Sequence, residues 1–64
     1  MYIDLNVASA EGLERLPSIG EKMAMRIVKY RRVIGPFQMV RQLQQVKSIG
    51  AATLGKVAPF LPVK

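Results

Sequence analysis

Positively charged side chains are the residues of this sequence whose spacing is most suggestive of chemistry. Four of them recur at steps of four, three and three, which would place them in one stripe along a helix. They are Lys22, Arg26, Lys29 and Arg32. Such a stripe is most often a solvated helix face, but it also suits the phosphates of a nucleic acid. Ten Lys and Arg against four Asp and Glu give the chain a net charge of +6. This excess favours a polyanionic partner, either nucleic acid or an anionic membrane, although it also serves solubility alone.

The groups that ordinarily catalyse reactions are scarce. The chain has no histidine and no cysteine, so it lacks the commonest general base, the thiol nucleophile and the usual zinc ligands. The four acids lie in two short segments near one end, and neither Ser18 nor Ser48 has a base beside it. The acids are Asp4, Glu11, Glu14 and Glu21. We therefore expect a protein that is not an enzyme, with no catalytic residue, no metal site and no cofactor.

The sequence repeats itself at an interval of 30 residues. LPSIG at 16–20 is followed by VKSIG at 46–50. The same shift aligns apolar positions at helical spacing on both sides of the shared Ser-Ile-Gly. The aligned pairs are Leu13 and Leu43, Leu16 and Val46, Ala24 and Leu54, Ile27 and Val57, and Tyr30 and Phe60. The pattern predicts that each half is a helix, a tight turn and a second helix.

Local signals place the helices of the first half. Ser9 is expected to cap a first helix, and Pro17 cannot continue it because proline has no N–H to donate. Gly20 is expected to supply a backbone angle that other residues avoid. A second helix should run from about 21 to 33 and stop at Gly35-Pro36.

The second half follows the same scheme. A third helix is expected to bury Val40, Leu43 and Val46, and a short fourth helix should end with the help of Pro59. The tail FLPVK is expected to pack Phe60 or Leu61 back onto the core.

The core of a chain of this length provides only a narrow margin of stability, and this chain has no disulfide to add to it. Two halves related by a pseudo-twofold axis would bury each other's apolar faces. We therefore predict a compact all-α single domain of four to five short helices without a sheet. It would consist of two repeats, at approximately 8–34 and 38–62. No apolar run is long enough to span a membrane, and no signal-peptide pattern opens the sequence.

The two turns predict a pair of anion sites. A helix that follows a tight glycine turn begins with free backbone N–H groups, and these act together with the helix dipole on an anion. The sites are expected at 18–22 and 48–53, side by side under a pseudo-twofold axis. The pair would grip one phosphate run on each strand of a DNA duplex, across the minor groove.

The pattern apolar-x-x-apolar-x-x-Ile-Gly-x-x-x-Ala-x-x-Ile resembles the helix-hairpin-helix motif, and both halves fill it. The filling residues are Leu13, Leu16, Ile19, Gly20, Ala24 and Ile27, and then Leu43, Val46, Ile49, Gly50, Leu54 and Val57. The stretches IDLNVASAEGLERLPSIG, IVKYRRVIGPFQMV and LQQVKSIG further resemble the ComEA-type competence domain, which carries two such motifs joined by a Gly-Pro-Phe turn. The resemblance covers nearly the whole chain, with Asn6, Ser9 and Gly35-Pro36-Phe37 at matching places.

The resemblance implies sequence-independent binding of double-stranded DNA through the hairpin amides. In the ComEA family this binding serves capture of incoming DNA during natural transformation, so other components of a DNA-uptake machinery are implied partners. Some relatives hold a monovalent cation on hairpin carbonyls, and nothing in this sequence decides that point. The resemblance implies a cell-envelope or periplasmic location if an anchor or signal is missing from this sequence, and a cytoplasmic one if the sequence is complete.

The chain departs from the family at one position of each hairpin. The family usually has Gly-Ile-Gly, whereas this chain has Ser18 and Ser48 in place of the first glycine. If the position needs a positive φ, serine is strained there. Alternatively serine fits, and its hydroxyl donates to a phosphate oxygen.

The candidate DNA-binding residues follow from the two hairpins and the cations beside them. They are Ser18, Ile19, Gly20, Glu21, Lys22, Arg26, Lys47, Ser48, Ile49, Gly50, Ala51, Ala52, Thr53 and Lys56. Ala51 and Ala52 replace Glu21 and Lys22 in the second half, so the two hairpins are expected to share the work unequally. Glu21 is interpreted as a first-turn residue that stabilises the helix dipole, and it opposes tight phosphate binding by the first hairpin.

Three other interpretations stay open. The chain could be a protein-interaction module, because helix-hairpin-helix pairs also occur in subunits that dock on other proteins, including a photosystem II extrinsic protein. It could associate with a membrane surface through its basic helix. Its aromatic side chains could stack on the bases of single strands, although core or rim packing accounts for most of them. The aromatics are Tyr2, Tyr30, Phe37 and Phe60.

Overall fold

The computed structural model describes residues 2–61, which form helices and contain no strand. Three α-helices are α1 (Ala10–Leu13), α2 (Glu21–Val33) and α3 (Ala51–Val57). The 3₁₀ helix η1 (Val40–Gln45) precedes α3, and a second 3₁₀ helix, η2 (Ala58–Phe60), continues from it. The predicted all-α fold of four to five short helices is confirmed. The predicted end of the second repeat, residue 62, lies outside the described residues.

Helix α1 is shorter than the sequence predicts. The Ser9 hydroxyl caps it as expected, accepting a hydrogen bond from the Gly12 N–H at 3.1 Å. The helix nevertheless ends at Leu13, well before Pro17. The backbone then tightens to bonds three residues apart, with the Leu16 N–H donating to the Leu13 carbonyl at 3.0 Å. This tighter turn directs both leucines into the core.

Helix α2 has the predicted bounds of 21 and 33. At its end the N–H groups of Ile34 and Gly35 both donate to the Tyr30 carbonyl, at 2.8 and 3.4 Å. Gly35 has a φ of 137°, a conformation that favours glycine. The Gly35-Pro36 break is therefore confirmed.

The predicted third helix is the 3₁₀ helix η1. Val40 and Leu43 in η1, and Val46 at its C-terminal cap, are three apart. This spacing suits a helix of three residues per turn, in which such residues share one face. Leu43 and Val46 are buried, and Val40 packs against the core from a half-buried position.

Both repeats contribute to a single core. The buried side chains are Ile3, Leu5, Leu13, Leu16, Ile19, Ala24, Ile27, Phe37, Leu43, Val46, Ile49, Val57 and Leu61. The tail packs as predicted, with Leu61 buried and Phe60 half-buried against the core.

The N-terminal segment is hydrogen-bonded to the loop between the repeats and to the end of the second repeat. The Ile3 N–H donates to the Phe60 carbonyl at 2.9 Å. The Asn6 side chain donates to the Phe37 carbonyl at 2.9 Å and accepts from the Phe37 N–H at 2.7 Å. Both ends of the described chain and the loop between the repeats are thereby joined.

Candidate nucleic-acid interface

The two hairpins have the same backbone conformation. Ser18 and Ser48 have φ values of 66° and 76°, in the left-handed region. Gly20 (φ −93°, ψ −173°) and Gly50 (φ −104°, ψ −172°) are both extended. The expectation that Gly20 supplies the unusual backbone angle is therefore wrong, because the tight turn is made two residues earlier. Of the two alternatives for the serines, the positive φ is confirmed.

The hydrogen bonds of the hairpins repeat with the same 30-residue offset. The N–H groups of Ile19 and Ile49 donate to the Leu16 and Val46 carbonyls, at 3.2 and 3.1 Å. At the starts of α2 and α3, the Gly20 and Gly50 carbonyls accept the first helical bonds at 2.9 and 3.0 Å. The internal sequence repeat is thus a repeat of backbone geometry.

Both helices that leave the hairpins begin without a cap. The Ser9 side chain caps α1, whereas the N-cap residues of α2 and α3 are Gly20 and Gly50. No side chain of the described residues donates or accepts a capping hydrogen bond at these two helix starts. The first N–H groups of α2 and α3 therefore lack a partner from their own helix. Gly20 and Gly50, at the starts of these helices, are exposed, and a Cβ built on either would meet nothing within 4 Å.

The side chains of the candidate residues divide into anchors and exposed groups. Ile19 and Ile49 are each only 4% exposed, so they fix the hairpins to the core and offer only backbone to the outside. Arg26 and Thr53 are half-buried. The remaining candidates are exposed: Ser18, Gly20, Glu21, Lys22, Lys47, Ser48, Gly50, Ala51, Ala52 and Lys56.

Arg26 joins the first repeat to the second hairpin. Its Nη1 donates to the Ser48 hydroxyl at 2.9 Å, across 22 residues of sequence. The helical stripe associates Arg26 with the first hairpin, where α2 begins, and sequence spacing alone does not reveal its contact with the second.

Two of the aromatic side chains stack on each other. The rings of Tyr30 and Phe37 stack with centroids 4.8 Å apart, and Phe37 is buried. This contact agrees with packing rather than with stacking on bases at these two positions. Tyr2 is 76% exposed, and Phe60 is half-buried.

No group of three or more His, Cys, Asp or Glu among residues 2–61 could hold a metal ion. None of the helices in the described chain combines the length and apolar character needed to cross a bilayer.

A family model described as a helix-hairpin-helix motif matches residues 2–62. Endonuclease/exonuclease/phosphatase family domain-containing protein 1 of Xenopus laevis is 40% identical over 55 residues, which are 86% of this chain and 10% of that protein. The protein of the same name from Mus musculus is 38% identical with the same coverage. An uncharacterised protein of Neisseria meningitidis serogroup A is 34% identical over 61 residues, 95% of this chain and 8% of that protein. The chain thus spans a tenth or less of the length of these curated relatives.

Proposed function

The chain belongs to the helix-hairpin-helix family, and on that premise we propose that it binds double-stranded DNA irrespective of base sequence. The motif is generally associated with nucleic-acid binding. The observation that carries the proposal is the pair of hairpins with matching backbone angles and exposed glycines, each followed by a helix whose first N–H groups have no side-chain cap.

The proposed mechanism is electrostatic capture of the DNA backbone. The N–H groups at 20–22 and 50–52 hold phosphate oxygens, and Lys and Arg side chains flank them. The N–H groups of Ile19 and Ile49, which the predicted anion sites also include, instead donate to the Leu16 and Val46 carbonyls. Contacts with phosphates position a protein on DNA but carry no base information, so binding of this kind tolerates any sequence. The role is binding rather than catalysis.

Two biological settings are consistent with such a module. The resemblance to the ComEA-type domain supports capture of incoming DNA during natural transformation, with components of a DNA-uptake machinery as partners. The name of the Xenopus laevis relative includes an endonuclease/exonuclease/phosphatase family domain, and the matched stretch is only 10% of that protein. That relative supports a second setting, in which the module holds DNA for an enzyme domain of a longer chain.

Fluorescence anisotropy with a labelled duplex of random sequence, titrated at several salt concentrations, tests the proposal. If about 4–6 phosphates are contacted, log K should fall against log salt with a slope of roughly −4 to −5. Affinity should be unchanged by base sequence and weaker for single strands. Absence of binding at low salt would reject the proposal and favour the alternative of a protein-interaction module with little DNA affinity.

Variants at the hairpin glycines test the backbone mechanism. Gly20→Val and Gly50→Val should fold, since both positions have ordinary φ values and space for a side chain. Each should weaken duplex binding by about tenfold or more, because a side chain there obstructs charge-assisted hydrogen bonds from the backbone. A single exposed Lys→Ala change should cost only about two- to fivefold.

The matched control is Gly55→Val, which makes the same change inside α3 rather than at its start. Circular dichroism should show that all three variants fold. Unaltered affinity in folded Gly20→Val and Gly50→Val proteins would exclude the hairpin amides as the phosphate site.

A further inference from the structure

A cleft of about 360 Å³ lies between the C-terminal half of α2 and the segment that leads from η1 into the second hairpin. Its charged lining consists of Arg26, Lys29 and Lys47. We propose that this cleft binds the phosphodiester backbone of the DNA strand held by the second hairpin, and so extends the contact along that strand. The inference rests on the proposed function and adds a site made of side chains from both repeats.

The lining matches the alternation of phosphate and sugar along a nucleic-acid strand. Three cations face the cleft and no acidic residue does. Val33 and Ile34 add an apolar wall, and they are 71% and 68% exposed in the described chain. Cations suit the phosphates, and exposed methyl groups suit the apolar edge of deoxyribose.

Arg26 makes the cleft continuous with the second hairpin. The Ser48 hydroxyl holds the guanidinium at 2.9 Å, and Lys47, which lines the cleft, directly precedes Ser48. A guanidinium has five N–H donors, so one bond to a hydroxyl leaves others for a phosphate. One strand would thus pass from the hairpin amides to Arg26 and then into the cleft.

The repeat does not reproduce this cluster of charge at the first hairpin. Shifting by 30 residues pairs Arg26 with Lys56, but it pairs Lys29 with Pro59 and Lys47 with Pro17. Two of the three cations are therefore proline in the other repeat. The contact along the DNA should consequently be longer on the strand of the second hairpin.

Charge-removing variants test whether the cleft cations contribute more to DNA binding than a cation elsewhere on the surface does. Lys29→Gln and Lys47→Gln should each weaken duplex binding about three- to fivefold and lower the magnitude of the salt slope by about 1. Arg41→Gln is the matched control, because Arg41 is an exposed cation of η1 outside this cleft. It removes the same charge and should change affinity less than about twofold and leave the slope unaltered.

A second measurement tests whether the cleft binds a short phosphodiester in the absence of duplex DNA. The isotope-labelled protein is titrated with the dinucleotide pTpT while methyl resonances are followed by NMR. The Val33 and Ile34 methyl groups should shift, and those of Val7, exposed outside the cleft, should not.

The outcomes distinguish the inference from the proposed function. If duplex DNA binds but Lys29→Gln and Lys47→Gln behave as Arg41→Gln does, the cleft is rejected and duplex binding stands. If duplex DNA does not bind but pTpT shifts the cleft methyl groups, the proposed function is rejected and the phosphodiester cleft stands. Absence of both responses rejects both, and would point to an acidic protein partner.

Discussion

Ser18 and Ser48 hold a backbone conformation that a side chain disfavours. Their φ values of 66° and 76° place the Cβ close to the following carbonyl, at a cost of about 1–2 kcal/mol for an L residue. Ser48 has partial compensation, since its hydroxyl accepts a hydrogen bond from Arg26. Both serines are exposed, in the turns that lead into α2 and α3.

We expect Ser18→Gly and Ser48→Gly to stabilise the fold. Relief of the left-handed strain, reduced by the greater chain entropy of glycine, should raise the free energy of unfolding by about 0.5–1 kcal/mol at Ser18. In a domain of this size that corresponds to a rise in Tm of about 2–8 °C. The gain should be smaller at Ser48 because the bond with Arg26 is lost. Thermal unfolding followed by circular dichroism provides the measurement.

Ser9→Gly is the control for these serine variants. Ser9 has a φ of −71° and caps α1, so glycine there should lower stability by a few tenths of a kcal/mol. A fall in Tm for Ser18→Gly would show that the serine is not strained in its hairpin.

The individual elements differ in how far their sequence predicts them. The bounds of α2 could be predicted because apolar spacing and strong breaking residues on both sides agree. The early end of α1 could not, since it depends on a change from four-residue to three-residue hydrogen bonds within one apolar stripe. The contact between Arg26 and Ser48 depends on how the two repeats pack, and helical spacing within α2 carries no information about that. The cleft also lies between the two repeats, so the spacing of residues within one helix does not predict it.

One side chain of the N-terminal segment is hydrogen-bonded to the loop between the repeats. Asn6 satisfies both the N–H and the carbonyl of Phe37, 31 residues away. Asn6→Ala should lower the free energy of unfolding by about 2–3 kcal/mol, because two part-buried backbone groups lose their partners. Urea denaturation gives this value directly.

Val7→Ala is a suitable control for the same segment. Val7 is 74% exposed, so its truncation should change stability by no more than about 0.5 kcal/mol. Equal effects of Asn6→Ala and Val7→Ala would show that the Asn6 hydrogen bonds do not hold the loop.

At the scale of the whole molecule, each repeat completes the core of the other. Leu13 and Ile27 from the first repeat and Leu43 and Val57 from the second are fully buried in one cluster. The described residues measure only 25 × 21 × 20 Å, so neither half is large enough to bury a separate core. This interdependence supplies the support that a chain without disulfides lacks. It also places the Arg26 of one repeat against the hairpin of the other, on which the proposed cleft depends.

The shared core predicts that a single repeat does not fold alone. A peptide of residues 1–35 would expose the face of Leu13 and Ile27 that Leu43 and Val57 help to cover, and it falls below the length of about 40 residues at which chains usually need outside support. We expect it to show little helical circular dichroism and no cooperative thermal transition, whereas the full chain shows both. An equimolar mixture with residues 36–64 should recover part of the helical signal, because the two halves then cover each other. A cooperative transition in the first peptide alone would show that the repeat is autonomous, and a site built from both repeats would then need another explanation.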